Sequence, residues 1–235
     1  MESELRNERL STLATLVDEG YEAVRPLLGE NELGYTLFLG RSYAVSPPGI
    51  MMLGLNPGVG GSVNRGAKLQ DDNWLVDGVP GVRFPYWRNA KRLFNQQGMA
   101  NVLAHATFSF CCPYRTPTWV NLPPATRSAL MSAARPALQR MITDCAPRLV
   151  IVAGIAGESV FRETMGDELS VTAIVSAGPY TKGTYRWRAT QCTWRSQSFV
   201  VAQIPHLSRA NSKVKLAECA EWLSGMVNAE VTEPG

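Results

Sequence analysis

The stretch Ile50-Met-Met-Leu-Gly-Leu-Asn-Pro-Gly58 decides how the rest of the chain is read. Its first six residues form a short, continuous apolar run, the pattern of a strand covered on both faces. The run stops at Asn56-Pro57-Gly58-Val-Gly-Gly61, where the proline cannot continue a sheet ladder. A second strand is expected at Ala106–Cys112, ahead of the Pro-rich loop 113–124, and a third at Leu149–Ala153. Leu169–Val175 and Phe199–Ile204 read as further strands. Between them, 87–99, 126–144, 157–165 and 212–227 follow helical spacing, and an acidic amphipathic helix covers 1–28. Strands alternating with helices of this length predict an α/β fold, a single domain with a central, mainly parallel sheet flanked by helices. The basic–aromatic stretch 180–195 (Tyr185-Arg-Trp-Arg188) is expected to form a basic hairpin insertion. The expected layout is an N-terminal helix-and-strand extension over 1–45, one compact unit over 46–229 and a tail at 230–235.

The 235 residues suit one domain, and 45% hydrophobic residues suffice for a sizeable core. The longest apolar run, Leu149–Ile155, is too short to cross a bilayer, so no membrane partner is expected. The opening Met-Glu-Ser-Glu-Leu-Arg-Asn-Glu is acidic and lacks the apolar core of a secretory leader. Five cysteines, without CxxC or Cys/His ligand spacing, argue against a disulfide scaffold or a metal site and favour a cytoplasmic location. The net charge of +3 hides an uneven distribution. No acid occurs from Gly78 to Thr143 or from Leu169 to Leu216, while those windows hold 15 of the 23 basic residues. Eighteen of the 23 are arginine, the side chain suited to bidentate phosphate contact. Such acid-free stretches point to a polyanion partner.

Ligands of open α/β sheets bind outside the carboxyl ends of the strands. Three such ends carry unusual residues here: Gly54-Leu-Asn-Pro-Gly58, Phe110-Cys-Cys-Pro-Tyr114 and Pro205-His-Leu-Ser-Arg-Ala-Asn211. The fold rule brings them to one edge. The first loop lacks the Gly-Lys-Ser/Thr of a nucleotide P-loop, and no GxGxxG fingerprint accompanies it.

Gly54-Leu-Asn-Pro-Gly58 and His206-Leu-Ser-Arg-Ala-Asn211 resemble, in order and position, the two signature motifs of the uracil-DNA glycosylase superfamily. Val150-Ile-Val-Ala-Gly154 with Gly157 is similar to the family's third strand and following helix, so the resemblance spans about residues 48–224. It implies a monofunctional DNA glycosylase without metal or cofactor, acting on a nucleotide flipped out of DNA. His206 matches the position that hydrogen-bonds the base carbonyl as negative charge develops, and Asn56 the position that orients the attacking water. Asp71, Asp72 and Asp77 are alternative carboxylates in the loop that follows. Gly54, Leu55, Pro57, Gly58, Phe84 and Phe110 are the implied base pocket, with Trp74, Phe84 and Tyr86 available for stacking. Leu207 or Arg209 is the candidate wedge for the vacated stack. Ser208, Arg209, Lys213 and Lys215, with Arg186 and Arg188, are candidate DNA contacts.

Two departures bear on the substrate. Uracil-specific members carry a tyrosine where Gly58 stands, and an asparagine where Phe110 stands. A glycine leaves room beside C5 of a pyrimidine, and a phenyl ring cannot read a Watson–Crick edge. A pyrimidine with a bulky C5 substituent, such as a modified cytosine of bacteriophage DNA, is therefore expected rather than plain uracil. The alternatives are a uracil or mismatch repair glycosylase, a non-catalytic DNA-binding module, or a small-molecule nucleoside hydrolase. A monomer is expected.

Overall fold

The computed structural model describes residues 2–29, 33–38, 43, 49–57, 69–70, 85–96, 99, 106–116, 118–154, 156–177, 187–207 and 213–229. In chain order the helices are α1 (Glu2–Leu28), α2 (Pro85–Phe94), α3 (Pro124–Cys145), α4 (Gly157–Met165) and α5 (Lys213–Ala229). The strands are β1 (Leu37–Phe38), β2 (Ile50–Gly54), β3 (Leu69–Gln70), β4 (Ala106–Phe110), β5 (Leu149–Ala153), β6 (Leu169–Ala177), β7 (Arg188–Trp194) and β8 (Gln197–Ile204). Six strands form the central sheet in the order β4-β2-β5-β8-β7-β6, and β1 and β3 pair separately.

Four neighbouring strands, β4, β2, β5 and β8, run parallel; β7 and β6 complete the sheet antiparallel. Alternation along β2 divides the core. Met51 and Leu53 face a layer built from α1, α3 and α4, while Ile50 and Met52 face one that includes α2 and α5. Every residue of β2, β4 and β5 is buried, as expected of parallel strands covered on both sides. The protein is thus a single α/β domain with helices on both faces of a mostly parallel sheet. No helix among the described residues is long and apolar enough to cross a membrane.

Two parts of the chain lie differently from the expectation. Residues 188–194 are no insertion: β7 is a full strand between β8 and β6, in unbroken register with β8 and paired to β6 with two register shifts, between Val171 and Ala173 and between Ile174 and Ser176. Cys192 and Trp194 are buried in the larger core and Ala189 in the smaller one, while Arg188 and Gln191 are partly exposed. Residues 178–186, with Tyr185 and Arg186, lie outside the described residues. The N-terminal helix is integral to the larger core rather than a peripheral addition. Leu13, Val17, Tyr21 and Val24 of α1 are buried in it, and the Tyr21 ring lies 5.5 Å from that of Tyr35 and 6.1 Å from that of Tyr114. Tyr114 in turn donates to the Ala133 carbonyl of α3 at 3.0 Å.

Candidate active site

The ends of β4, β2, β5 and β8 stand side by side on the carboxyl edge of the sheet. Gly54 and Phe110 are register partners at the ends of β2 and β4. A Cβ on residue 54 would sit 2.9 Å from Cδ1 and Cε1 of Phe110 and 3.4 Å from the Tyr86 hydroxyl. Glycine is needed because a phenyl ring lies directly on the backbone there. Two bonds extend the β2–β4 pairing into the loops, from Cys111 N to the Gly54 carbonyl at 2.8 Å and from Cys112 N to the Leu55 carbonyl at 3.0 Å. Leu55 packs against the larger core and Pro57 is buried. Asn56 is thereby presented from a rigid turn.

The Asn56 amide has a determined orientation. Its Nδ2 donates to Thr116 Oγ1 at 2.8 Å and to the Pro57 carbonyl at 3.3 Å. A carbonyl can only accept, so nitrogen must face Pro57, and Oδ1 points the other way as an acceptor. Thr116 is itself buried. An acceptor fixed in this way can orient a water molecule without taking its proton.

At the other end of the row, Gly154 follows β5 with φ +116°, a backbone conformation that disfavours side chains. Its N–H donates to the Ile204 carbonyl at 2.9 Å, closing the β5–β8 ladder. A Cβ on residue 154 would lie 3.6 Å from His206 Cδ2. The partly buried His206 ring packs against Tyr86, with centroids 5.3 Å apart and planes inclined by 55°. Tyr86, from the first turn of α2, therefore touches both the β2–β4 end and the β8 end. Burial pushes its phenol well above the ordinary tyrosine value, so it stays a neutral donor at physiological pH.

No protein-family model matches the chain, and no curated protein matches it. Cys111 and Cys112, though beside Gly54, are unsuited to nucleophilic attack. Both are fully buried, and burial pushes the Cys112 thiol up to about 12 and Cys111 higher still, so the reactive thiolate is suppressed. Among the described residues no group of three His, Cys, Asp or Glu side chains could hold a metal ion.

The structure brings Gly54, Phe110, Tyr86 and His206 together, with Asn56 two residues beyond Gly54 on the same loop. Two DNA-contact expectations are corrected. Leu207 cannot serve as a wedge in this arrangement, because its side chain is 1% exposed and belongs to the core between the sheet and α5. Arg188 is committed elsewhere, since its guanidinium pairs with Glu158 of α4, whose side chain is only 2% exposed. Gly58, Asp71, Asp72, Trp74, Asp77, Phe84, Arg186, Ser208 and Arg209 lie outside the described residues. Lys213 and Lys215 are placed only as backbone in α5. Sequence reasoning missed Thr116 and Asn89 of α2, whose Nδ2 donates to the Leu207 carbonyl at 2.7 Å. Each sits among other polar residues in its segment, and the signal that sets it apart, its burial, appears only in the fold.

Proposed function

We propose that the protein is a monofunctional DNA glycosylase with a fold like that of the uracil-DNA glycosylase superfamily. Its substrate is a modified or damaged pyrimidine carrying a bulky C5 substituent. The observation that supports this most is that Asn56, with its amide oriented by Thr116, and His206, against Tyr86, follow strands β2 and β8 at one edge of the sheet, and that Tyr86 also reaches the Gly54–Phe110 end. The carboxyl edge is where a ligand site belongs in such a sheet.

In the mechanism, the target nucleotide leaves the base stack and its base enters the aromatic-floored site. The N-glycosidic bond lengthens first, leaving positive charge on the sugar and negative charge on the base. His206 donates a hydrogen bond to the base carbonyl oxygen where that charge accumulates. Asn56 Oδ1 accepts from a water molecule and aims its oxygen at C1′. The C1′–O bond forms as the C1′–N bond breaks, the water proton passes to solvent, and the departing base is protonated. The products are the free base and an abasic site, with the strand intact. Phe110 supplies an apolar face where an amide would read the edge of uracil, so selectivity rests on shape rather than on hydrogen bonding. The acid-free basic stretches supply the attraction for DNA, and the protein acts as a cytoplasmic monomer.

The test is an abasic-site assay on uracil-containing DNA, unmodified DNA, and phage DNA carrying hydroxymethylated or glucosylated cytosine. Wild type is compared with Asn56→Ala and His206→Ala. Abasic sites in a modified-cytosine substrate, lost in both variants, are expected. Equal release of uracil and 5-substituted pyrimidines overturns the specialised substrate. No release from any DNA, with salt-sensitive binding intact, overturns the enzyme in favour of a binding module.

A further inference from the structure

His206 stands just beyond the last strand, two residues past Ile204. The β5–β8 pairing ends with Gly154 N–H on the Ile204 carbonyl, and Pro205 has no N–H to extend it. A backbone anchor lies one residue past His206. It is the Leu207 carbonyl, which accepts from Asn89 Nδ2 at 2.7 Å. The histidine is therefore bracketed by Ile204 on the sheet side and Leu207 on the helix side.

Asn89 is an unusual choice for its position. Its neighbours Ala90, Leu93 and Phe94 are fully buried on the apolar side of α2, and Asn89 itself is 2% exposed. An amide at such a place is less favourable for helix formation than alanine or leucine, and must be hydrogen-bonded to be tolerated. Its orientation is settled from both sides. The Leu207 carbonyl only accepts and the Arg92 guanidinium only donates, so Nδ2 faces Leu207 and Oδ1 faces Arg92 Nη1 at 3.4 Å. Three residues earlier on the same helix, Tyr86 sets its ring against His206. One face of α2 thus touches the histidine ring with one residue and grips the backbone beside it with the next.

The geometry points to Asn89 as the positioning residue for His206: its amide fixes the loop that aims the imidazole, while Tyr86 limits the ring's tilt. The catalytic consequence rests on the glycosylase proposal; the positioning itself does not. Asn89 never meets the base. Removing its donor frees the Leu207 carbonyl and lets the histidine wander from the site where charge develops, a displacement that can lower a rate roughly tenfold to a hundredfold.

The experiment uses the full chain and two variants. Asn89→Asp keeps the size but replaces the donor with an acceptor; Asn89→Ser leaves a hydroxyl too short to reach and folds even where a buried carboxylate is not tolerated. The chain has two histidines, His105 and His206, so ring proton–nitrogen spectra are simple, and His206→Ala assigns them. Moved His206 ring resonances with unmoved His105 resonances are expected in the folded variants. On the substrate that wild type cleaves, single-turnover base release should fall roughly tenfold or more with the DNA Kd within about twofold. Melting temperature alone would fall if the bond were merely structural. Folded Asn89 variants with wild-type His206 resonances overturn the inference. A wild type that releases no base defeats the glycosylase proposal, and the ring spectra then still decide the role of Asn89.

Discussion

The two halves of the central sheet solve different problems. β4, β2 and β5 are buried along their whole length, and with β8 they end on one edge. β6 is buried at Leu169 but largely open to solvent along its length, with Ile174 and Val175 more than half exposed. Parallel strands need crossover helices, which cover both faces and return every strand to the same side. The strand ends and loops on that side accumulate, and Gly54, Asn56, Phe110, Gly154 and His206 all come from them. Antiparallel strands spread their loops over two edges, so β6 and β7 contribute fewer groups to any one place. What they contribute at the shared edge is Arg188, opposite Gln203 near the end of β8 and spent on the buried Glu158. On the proposed function the parallel half holds the chemistry, while the antiparallel half supplies an ion pair at that edge.

Breaking this division should give its largest effect at His206. His206→Ala is expected to raise the barrier to base release by about 2.7–4 kcal/mol, the usual cost of a lost oxyanion donor. Stability should change little, because the ring is only partly buried. Single-turnover kinetics alongside thermal melting check both statements. An unchanged rate would remove chemistry from the parallel half.

The converse substitution is Arg188→Met in the antiparallel half. It strands the Glu158 carboxylate, 2% exposed, without its counter-charge. Breaking a buried pair costs about 3–5 kcal/mol, but the Arg188 side chain is 40% exposed and solvent already shares its charge. A loss of about 2–3 kcal/mol is expected. For a chain of this length that lowers Tm by roughly 4–12 °C. The double variant Arg188→Met/Glu158→Gln should recover part of the loss, since it removes the stranded charge.

The same contrast explains what could be read from sequence. β2 and β5 are legible because a doubly covered strand is apolar throughout, β4 because its Thr107 and Ser109 are small and set between apolar residues, and Asn56-Pro57 marks where the ladder must stop. The edge carrying Gly54, Phe110 and His206 followed from the fold rule alone. β7 reads as part of an insertion because Arg188, beside Arg186, looks solvated in sequence. Glu158, which partners Arg188, lies 30 positions away in a helix. Asn89 and Thr116 were invisible for a related reason, their partners lying 118 and 60 positions away. Local pattern reports which face is apolar; it does not report which polar atom will be enclosed with another.

Within the parallel half, the contact between Gly54 and Phe110 can be broken separately. Gly54→Ala sets a methyl 2.9 Å from two ring carbons, and the ring must shift. A stability loss toward the lower end of about 1–3 kcal/mol is expected, because a ring can yield where backbone cannot. Phe110→Leu should relieve it. A double-mutant cycle by urea denaturation then gives a coupling energy of at least about 0.5 kcal/mol. Additive changes would mean that the ring does not rest on Gly54.

The smallest effect belongs to a second ion pair in the antiparallel half. Arg195 and Glu168 meet at 3.1 Å, but their side chains are 60% and 59% exposed. Arg195 also lies over the Trp194 ring, its guanidinium carbon 4.4 Å from the centroid, so substituting the arginine would remove two contacts at once. Glu168→Gln removes only the charge. An exposed pair of this kind is worth about 0.2–1 kcal/mol, and 1 M salt shortens the Debye length to about 3 Å, comparable to the pair's own separation. The difference between wild type and Glu168→Gln should therefore shrink toward zero between 0.05 and 1 M salt (about a fivefold contraction of the Debye length or less). The loss caused by Arg188→Met should largely persist over the same range, because its carboxylate is shielded from ions as well as from water. Equal salt sensitivity in the two variants would mean that Glu158 is reached by solvent. The Arg188 pair would then be no stronger than the Arg195 pair, and Arg188 would be open to other anions at the edge it shares with His206.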